Sequence, residues 1–172
     1  MPDLNAKTAA TRARSRPSGS VVTVEKGYPE LRLWLRMISC SMKMENILSQ
    51  RLRREFKTSM ARFDLLSQLE RFPDGLTMTE LSRQLIVSNG AITGLVEKLA
   101  EAGLVTRRED SKDRRSVIVR LSGKGRDQFL RMARRHEEWV VSIIGELTTK
   151  TQSELLQNLT LLQRNLDLHG KV

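Results

Sequence analysis

The chain has 172 residues, 39% of them hydrophobic but only 4% aromatic, which suits one Leu-rich, helical domain with a tail and argues against a sandwich. Its net charge of +10 points to a polyanionic partner, nucleic acid before an anionic membrane, although a merely soluble basic surface has the same composition. A single cysteine, Cys40, excludes an internal disulfide; two histidines, His136 and His169, with no metal-type spacing, leave no expected cofactor or metal; and no apolar run approaches the ~20 residues of a membrane-spanning helix.

Residues 1–27 hold Lys7, Arg12, Arg14, Arg16 and Lys26 against Asp3 and Glu25, around a Pro17-Ser18-Gly19-Ser20 stretch. They read as a disordered basic arm; an organelle transit peptide is the rival, and the lack of an apolar segment argues against a secretory signal. Pro29 opens a first helix that reaches about residue 54, with Leu31, Trp34, Leu35, Ile38 and Met42 at helical spacing. A second helix is expected over 60–71, with Phe63, Leu66 and Leu69 inward, followed by a Pro73-Asp74-Gly75 turn. Thr77 and Glu80 form a capping box for a third helix. Ser88 caps a fourth, which ends at Gly103 as a left-handed residue. Strands are expected at 104–107 and 116–121, a fifth helix from Ser122 to about 147, and a second capping box, Thr151 to Glu154, opening a last helix to about 168.

Helix, tight turn, helix and a strand pair around a charged loop, over 76–121, is the order of a winged helix-turn-helix. Such a unit offers one helix to a DNA major groove and one basic finger to the adjacent minor groove. On the fourth helix, Ile92, Leu95, Val96 and Leu99 make one apolar stripe, to be packed on Leu81 and Leu85. The opposite face carries Gly90, Thr93, Gly94, Glu97 and Lys98, with Ser88 and Asn89 at its start. Two glycines on an exposed helix face cost about 0.5–1 kcal/mol each relative to alanine. Either they face another helix closely or stand there by chance, or the bare face lets the helix sit deep in a groove. In the second case Asn89 and Thr93 reach base edges, and Ser88 with the helix N-terminus meets a phosphate. Around the loop, Arg107, Arg108, Lys112, Arg114, Arg115, Arg120, Lys124 and Arg126 outnumber Glu109, Asp110 and Asp113. Asp113 is placed to orient Arg115 for a narrow minor groove, where the potential is most negative. A charged, solvated loop is the plain alternative.

These residues resemble the MarR family of bacterial transcription regulators. The resemblance rests on Leu81 and Leu85; on Ser88, Ile92, Thr93, Leu95, Val96, Leu99, Gly103, Leu104, Val105 and Arg107; on Asp113 and Arg115; and on Leu121, Ser122 and Gly125. The helix order is shared over about 29–168. Gly94 departs from the pattern, where many members carry a long or basic residue, and the arm is longer than usual. The resemblance implies a mainly α fold in which long N- and C-terminal helices form a dimerisation region (28–58 and 122–172) around a DNA-binding lobe (59–121). It further implies an obligate homodimer on a pseudo-palindromic double-stranded operator with half-sites about one turn apart, associated with the bacterial nucleoid; the lack of a signal or membrane segment leads to the expectation of a cytoplasmic protein. The stripe Leu155, Leu156, Leu159, Leu162 and Leu166 suits the interface; an intrachain core is its alternative.

The resemblance also implies a repressor released by a small-molecule effector, an aromatic acid or its CoA thioester. The expected lining is Trp34, Arg36, Met37, Cys40, Met44, Met60, Arg62 and Phe63, with the two arginines for a carboxylate or phosphate; ordinary core is the plain reading of the Met and Trp positions. Some relatives sense peroxide through a first-helix cysteine, but Cys40 lies between Ser39 and Ser41 without a nearby Tyr or His, so a buried structural thiol is expected. No catalytic constellation supports an enzyme, and His136, in Arg-Arg-His-Glu-Glu-Trp, reads as a surface ion-pairing residue. A sequence-blind architectural DNA binder would use the same wing and arm. Membrane-surface binding is half-supported by 123–135.

Overall fold

The computed structural model describes residues 28–109 and 116–170 and divides after Cys40 into two units, Met1–Cys40 and Ser41–Val172. The basic arm expected at 1–27 and the loop carrying Lys112, Asp113, Arg114 and Arg115 lie outside the described residues. The chain is mainly α with one small sheet, in the order α1 (Pro29–Phe56), α2 (Met60–Arg71), β1 (Leu76–Thr77), α3 (Met78–Leu85), α4 (Asn89–Glu101), β2 (Val105–Glu109), β3 (Val117–Leu121), α5 (Gly123–Ile144) and α6 (Thr149–His169). This is the winged helix-turn-helix expected from the sequence. No helix among the described residues is long and apolar enough to cross a membrane.

The described part of the first unit is Tyr28 and the start of α1. The Leu31 N–H donates to the Tyr28 carbonyl at 3.0 Å, taking up one of the orphan donors of the first turn. Leu31, Leu33, Trp34, Leu35 and Ile38 are all exposed. Cys40 is exposed as well, which corrects the expectation of a buried thiol. Among the described residues of this unit, the start of α1 has no second element to bury a side chain against.

In the second unit the core is built from Leu48 and Leu52 of α1, from Phe63, Leu65, Leu66 and Leu69 of α2, and from Leu81, Ile92, Val96, Leu99, Val119, Phe129 and Met132 farther along. Ser59 caps α2 by accepting the Arg62 N–H. His136 is not the ion-pairing surface residue the sequence suggested. Its ring stacks on Phe63 with centroids 4.8 Å apart, and Phe63 also meets Phe129 at 5.6 Å. Burial lowers the His136 pKa, because half-covered imidazole loses water that would stabilise its charged form.

The sheet is antiparallel in the order β1-β3-β2, with Leu76 opposite Val119 and Arg107 opposite the same residue from the other side. Strand β1 was not expected. Two residues carry no periodic signal, and Thr77 doubles as the cap of α3. The strand forms because Gly75, at φ +88°, turns the chain directly against β3; a Cβ there would lie 2.6 Å from the Val119 carbonyl oxygen.

Two helix boundaries also differ from expectation. α5 stops at Ile144, where the Gly145 N–H closes on the Val141 carbonyl at 2.7 Å. α6 starts at Thr149 with Thr148 as its cap, not at the Thr151–Glu154 box. The Thr148 hydroxyl oxygen accepts the Thr151 N–H at 3.2 Å, and Gln152 donates to the Ile144 and Leu147 carbonyls. An identical hydroxyl three residues earlier was therefore available, and the short connection holds the helix there; Glu154 faces Lys150 instead.

Candidate nucleic-acid interface

The interface is assembled from the cap of α3 onward. Thr77 and Glu80 make the expected capping box, with the Thr77 N–H donating to Glu80 at 2.8 Å and the Glu80 N–H to the Thr77 hydroxyl at 3.2 Å. α3 ends in a left-handed residue, Ile86, at φ 54° and ψ 43°. Its N–H donates to the Arg83 carbonyl, and the Val87 N–H to the Ser82 carbonyl at 3.2 Å, the paired bonds of a Schellman motif. The Ser82 hydroxyl closes on the Val87 carbonyl at 2.5 Å. This tight turn hands the chain to Ser88, whose hydroxyl oxygen accepts the Ala91 N–H at 3.3 Å and starts α4.

Ile92, Val96 and Leu99 of α4 are buried and Leu95 partly so, together with buried Leu81 and partly buried Leu85. The opposite face is exposed at Gly90, Thr93, Glu97 and Lys98, and Gly94 is only partly covered. A Cβ built at Gly90 or Gly94 would meet nothing within 4 Å. Among the described residues no helix approaches the two glycines, so close packing by another of these helices does not explain them. Asn89 is the first residue of α4.

At the other end of α4, Gly103 adopts the left-handed conformation at φ 70°, as expected. The Ser122 hydroxyl donates to the Gly103 carbonyl at 2.7 Å, the Ser122 N–H to the Leu104 carbonyl at 3.0 Å, and Lys124 to the Ala102 carbonyl at 2.9 Å. Gly125 is buried where any Cβ would collide with the Leu104 carbonyl. The start of α5 thus clamps the end of α4 and sets the exit of β2. Arg107 and Arg108 of β2 are exposed on the way to the wing loop.

Three cations read as part of the wing are engaged elsewhere. Arg120 donates to the Asp74 carbonyl at 2.6 Å, Lys124 is held as described, and Arg126 pairs with Glu70 at 3.0 Å. A loop residue's role depends on which partners the fold brings within reach, and spacing along the chain does not report that.

Of the expected effector residues, Trp34, Arg36 and Cys40 are exposed and Met37 partly covered in the first unit. In the second, Met44, Met60 and Arg62 are partly covered, while Phe63 is committed to the core. The sequence reading missed a cleft of about 350 Å³ lined by Arg51, Arg54, Glu55 and Trp139. Glu55 is taken by Arg135 at 2.7 Å, and the Arg51 guanidinium reaches the Ser142 hydroxyl at 3.4 Å. Neither Arg51 nor Arg54 has a carboxylate partner among the described residues. Trp139 lies 84 to 88 positions after the residues of the other wall (139 − 55 and 139 − 51), so only folding could reveal it.

Residues 58–116 match the MarR family. The chain is 30% identical over 109 residues to a transcriptional repressor of Bacillus subtilis, YetL, covering 58% of this chain and 62% of that protein. A MarR family transcriptional regulator from Silicibacter pomeroyi superposes with a TM-score of 0.67 at 27% identity, over 79% of this chain and 94% of the other. Sco3205, a MarR family regulator from Streptomyces coelicolor solved in complex with DNA, shares the fold at a TM-score of 0.68 and 24% identity, over 80% and 87% of the two chains. The curated relatives matched are transcriptional regulators, and the chain spans about two thirds of their length or less. With its helix-turn-helix, its three-stranded wing sheet and these likenesses, the chain has the winged helix-turn-helix fold, residues 58–116 match the MarR family model, and the proteins it is similar to are DNA-binding transcriptional regulators of that type.

Proposed function

We propose that the protein is a homodimeric, sequence-specific repressor that leaves a pseudo-palindromic operator when a small anionic effector binds. The observation that carries the DNA half is α4: a helix with one buried apolar face and an opposite face open at both glycines, so backbone can approach base edges. Ser88, Asn89, Gly90, Thr93 and Lys98 are the proposed α4 contacts, and Arg107, Lys112, Arg114 and Arg115, with Asp113 orienting Arg115, those of the wing. The lobe 59–121 would carry them between the dimerising segments 28–58 and 122–172. That Sco3205 was solved with DNA supports the reading, and the name of YetL favours a repressor.

Selection of bound sequences from fragmented DNA at about 150 mM salt tests this. A pseudo-palindromic motif is expected; binding without any motif would favour a sequence-blind architectural protein, because base readout costs ~1–3 kcal/mol per mismatch. Arg115→Ala should weaken binding to the selected site more than tenfold and leave the oligomeric mass unchanged. Unaltered affinity in a gel shift would remove the wing from the interface.

The proposed effector is an aromatic acid or its CoA thioester. Arg51 and Arg54 beside Trp139 offer such a ligand an indole and two guanidinium groups without a carboxylate partner among the described residues, a suitable chemistry for a carboxylate or phosphate. With salicylate and benzoyl-CoA as probes, Arg54→Ala should keep ligand-free DNA binding and need at least tenfold more ligand for release. Release at the same ligand concentration as the unmodified protein would exclude the cleft.

A further inference from the structure

Ile86 occupies a position that its residue type does not suit, twice over. It adopts left-handed backbone, φ 54° and ψ 43°, as the C-cap directly after α3. β-Branched side chains are the least tolerant of that region, which glycine and asparagine enter readily. Its side chain is also 92% exposed, more than any other large hydrophobic side chain among the described residues. Among the described residues nothing covers it: the turn is held by backbone bonds and by Ser82, to which the Ile86 side chain contributes nothing.

The surroundings indicate what covers it. Ile86 stands two residues before Ser88, which caps α4, so it is continuous with the helix proposed to enter the groove. Arg83, one turn back on α3, is exposed and has no carboxylate partner among the described residues. A polyanion with an apolar point in its groove fits this pair better than an apolar protein surface does. In the major groove the apolar point is the thymine C5-methyl, the single feature there that an aliphatic side chain reads.

We propose that Ile86 is a specificity-determining residue that packs on a thymine methyl beside the N-terminus of α4, while its rigid turn fixes where that methyl must lie. The inference rests on the reading of α4 as the groove helix.

The test uses the full chain and the duplex it selects, with each thymine replaced in turn by deoxyuridine, which removes only the methyl. For the unmodified protein, one position per half-site should lose about fourfold in affinity, the value of one buried methyl-sized group. Ile86→Gly and Ile86→Asn should both bind more weakly than the unmodified protein, lose the uracil penalty at that position alone, and melt no lower. No penalty at any thymine, a penalty that persists in both variants, or a changed oligomeric mass in either variant would overturn the proposal. Gly94→Glu separates the two readings. If it binds normally, the α4 reading fails and takes this one with it; if it loses binding while Ile86→Gly keeps every penalty, only the role of Ile86 falls.

Discussion

At the residue scale, His136 shows how a side chain that looks like a surface cation comes to pack, half-covered, against the core. Its ring lies nearly flat on Phe63, with 24° between the planes, and burial pushes its pKa down from the usual 6.5. A depressed histidine favours the folded state while neutral, so its contribution is present above pH 6.5 and is lost as pH falls through the folded value. Asp64 acts in the opposite sense. Burial first, and the charge of Glu45 second, raise its pKa, so its ionised form is a burden that acid relieves. We expect His136→Phe, which keeps the stack, to flatten the fall in melting temperature between about pH 7 and 5. An unchanged decline would assign acid sensitivity to other groups. None of this was visible in Arg-Arg-His-Glu-Glu-Trp, because neighbours in sequence do not report what another helix lays across a ring.

At the scale of elements, caps were legible and connections were not. Thr77, Ser88 and Gly103 behave as their chemistry dictates, because a helix end needs its partners within three or four residues. The start of α6 was misread since Thr148 and Thr151 are equivalent locally, and only the closure by Gln152 decides between them. Gly125 is another local residue with a distant reason: it allows α5 to touch the Leu104 carbonyl. Gly125→Ala is expected to lower stability by about 1–3 kcal/mol, the usual range for forcing an extra group into a tight contact, and so to lower the melting temperature by several degrees. Full retention of stability in a denaturant titration would show that the α4–α5 junction yields easily.

For the molecule as a whole, α6 is the element without an explanation inside one chain. None of its residues is buried, and Leu155, Leu156, Leu159 and Leu166 are between 47% and 68% exposed. The intrachain core offered as an alternative for this stripe is thereby excluded among the described residues. Exposed leucine on this scale marks a partner surface, and the proposed partner is a second copy, which would also give a two-fold operator its symmetry. Leu159→Glu should halve the mass measured by sedimentation and reduce affinity for the selected operator more than tenfold. A variant that remains dimeric would move the interface off this stripe.

The sequence alone determined the mainly α winged helix-turn-helix, the caps, the apolar stripe of α4 and the resemblance to the MarR family over 58–116, because each depends on periodicity or on residues a few positions apart. Tertiary structure decided what lay beyond that reach. It took Arg120, Lys124 and Arg126 out of the wing, laid His136 across the inward-facing Phe63, joined Arg51 and Arg54 to Trp139, and left Ile86 exposed in a left-handed turn. The physical reason is common to all four: partnership and burial are set by elements distant in the chain, and no local pattern encodes which of them arrive.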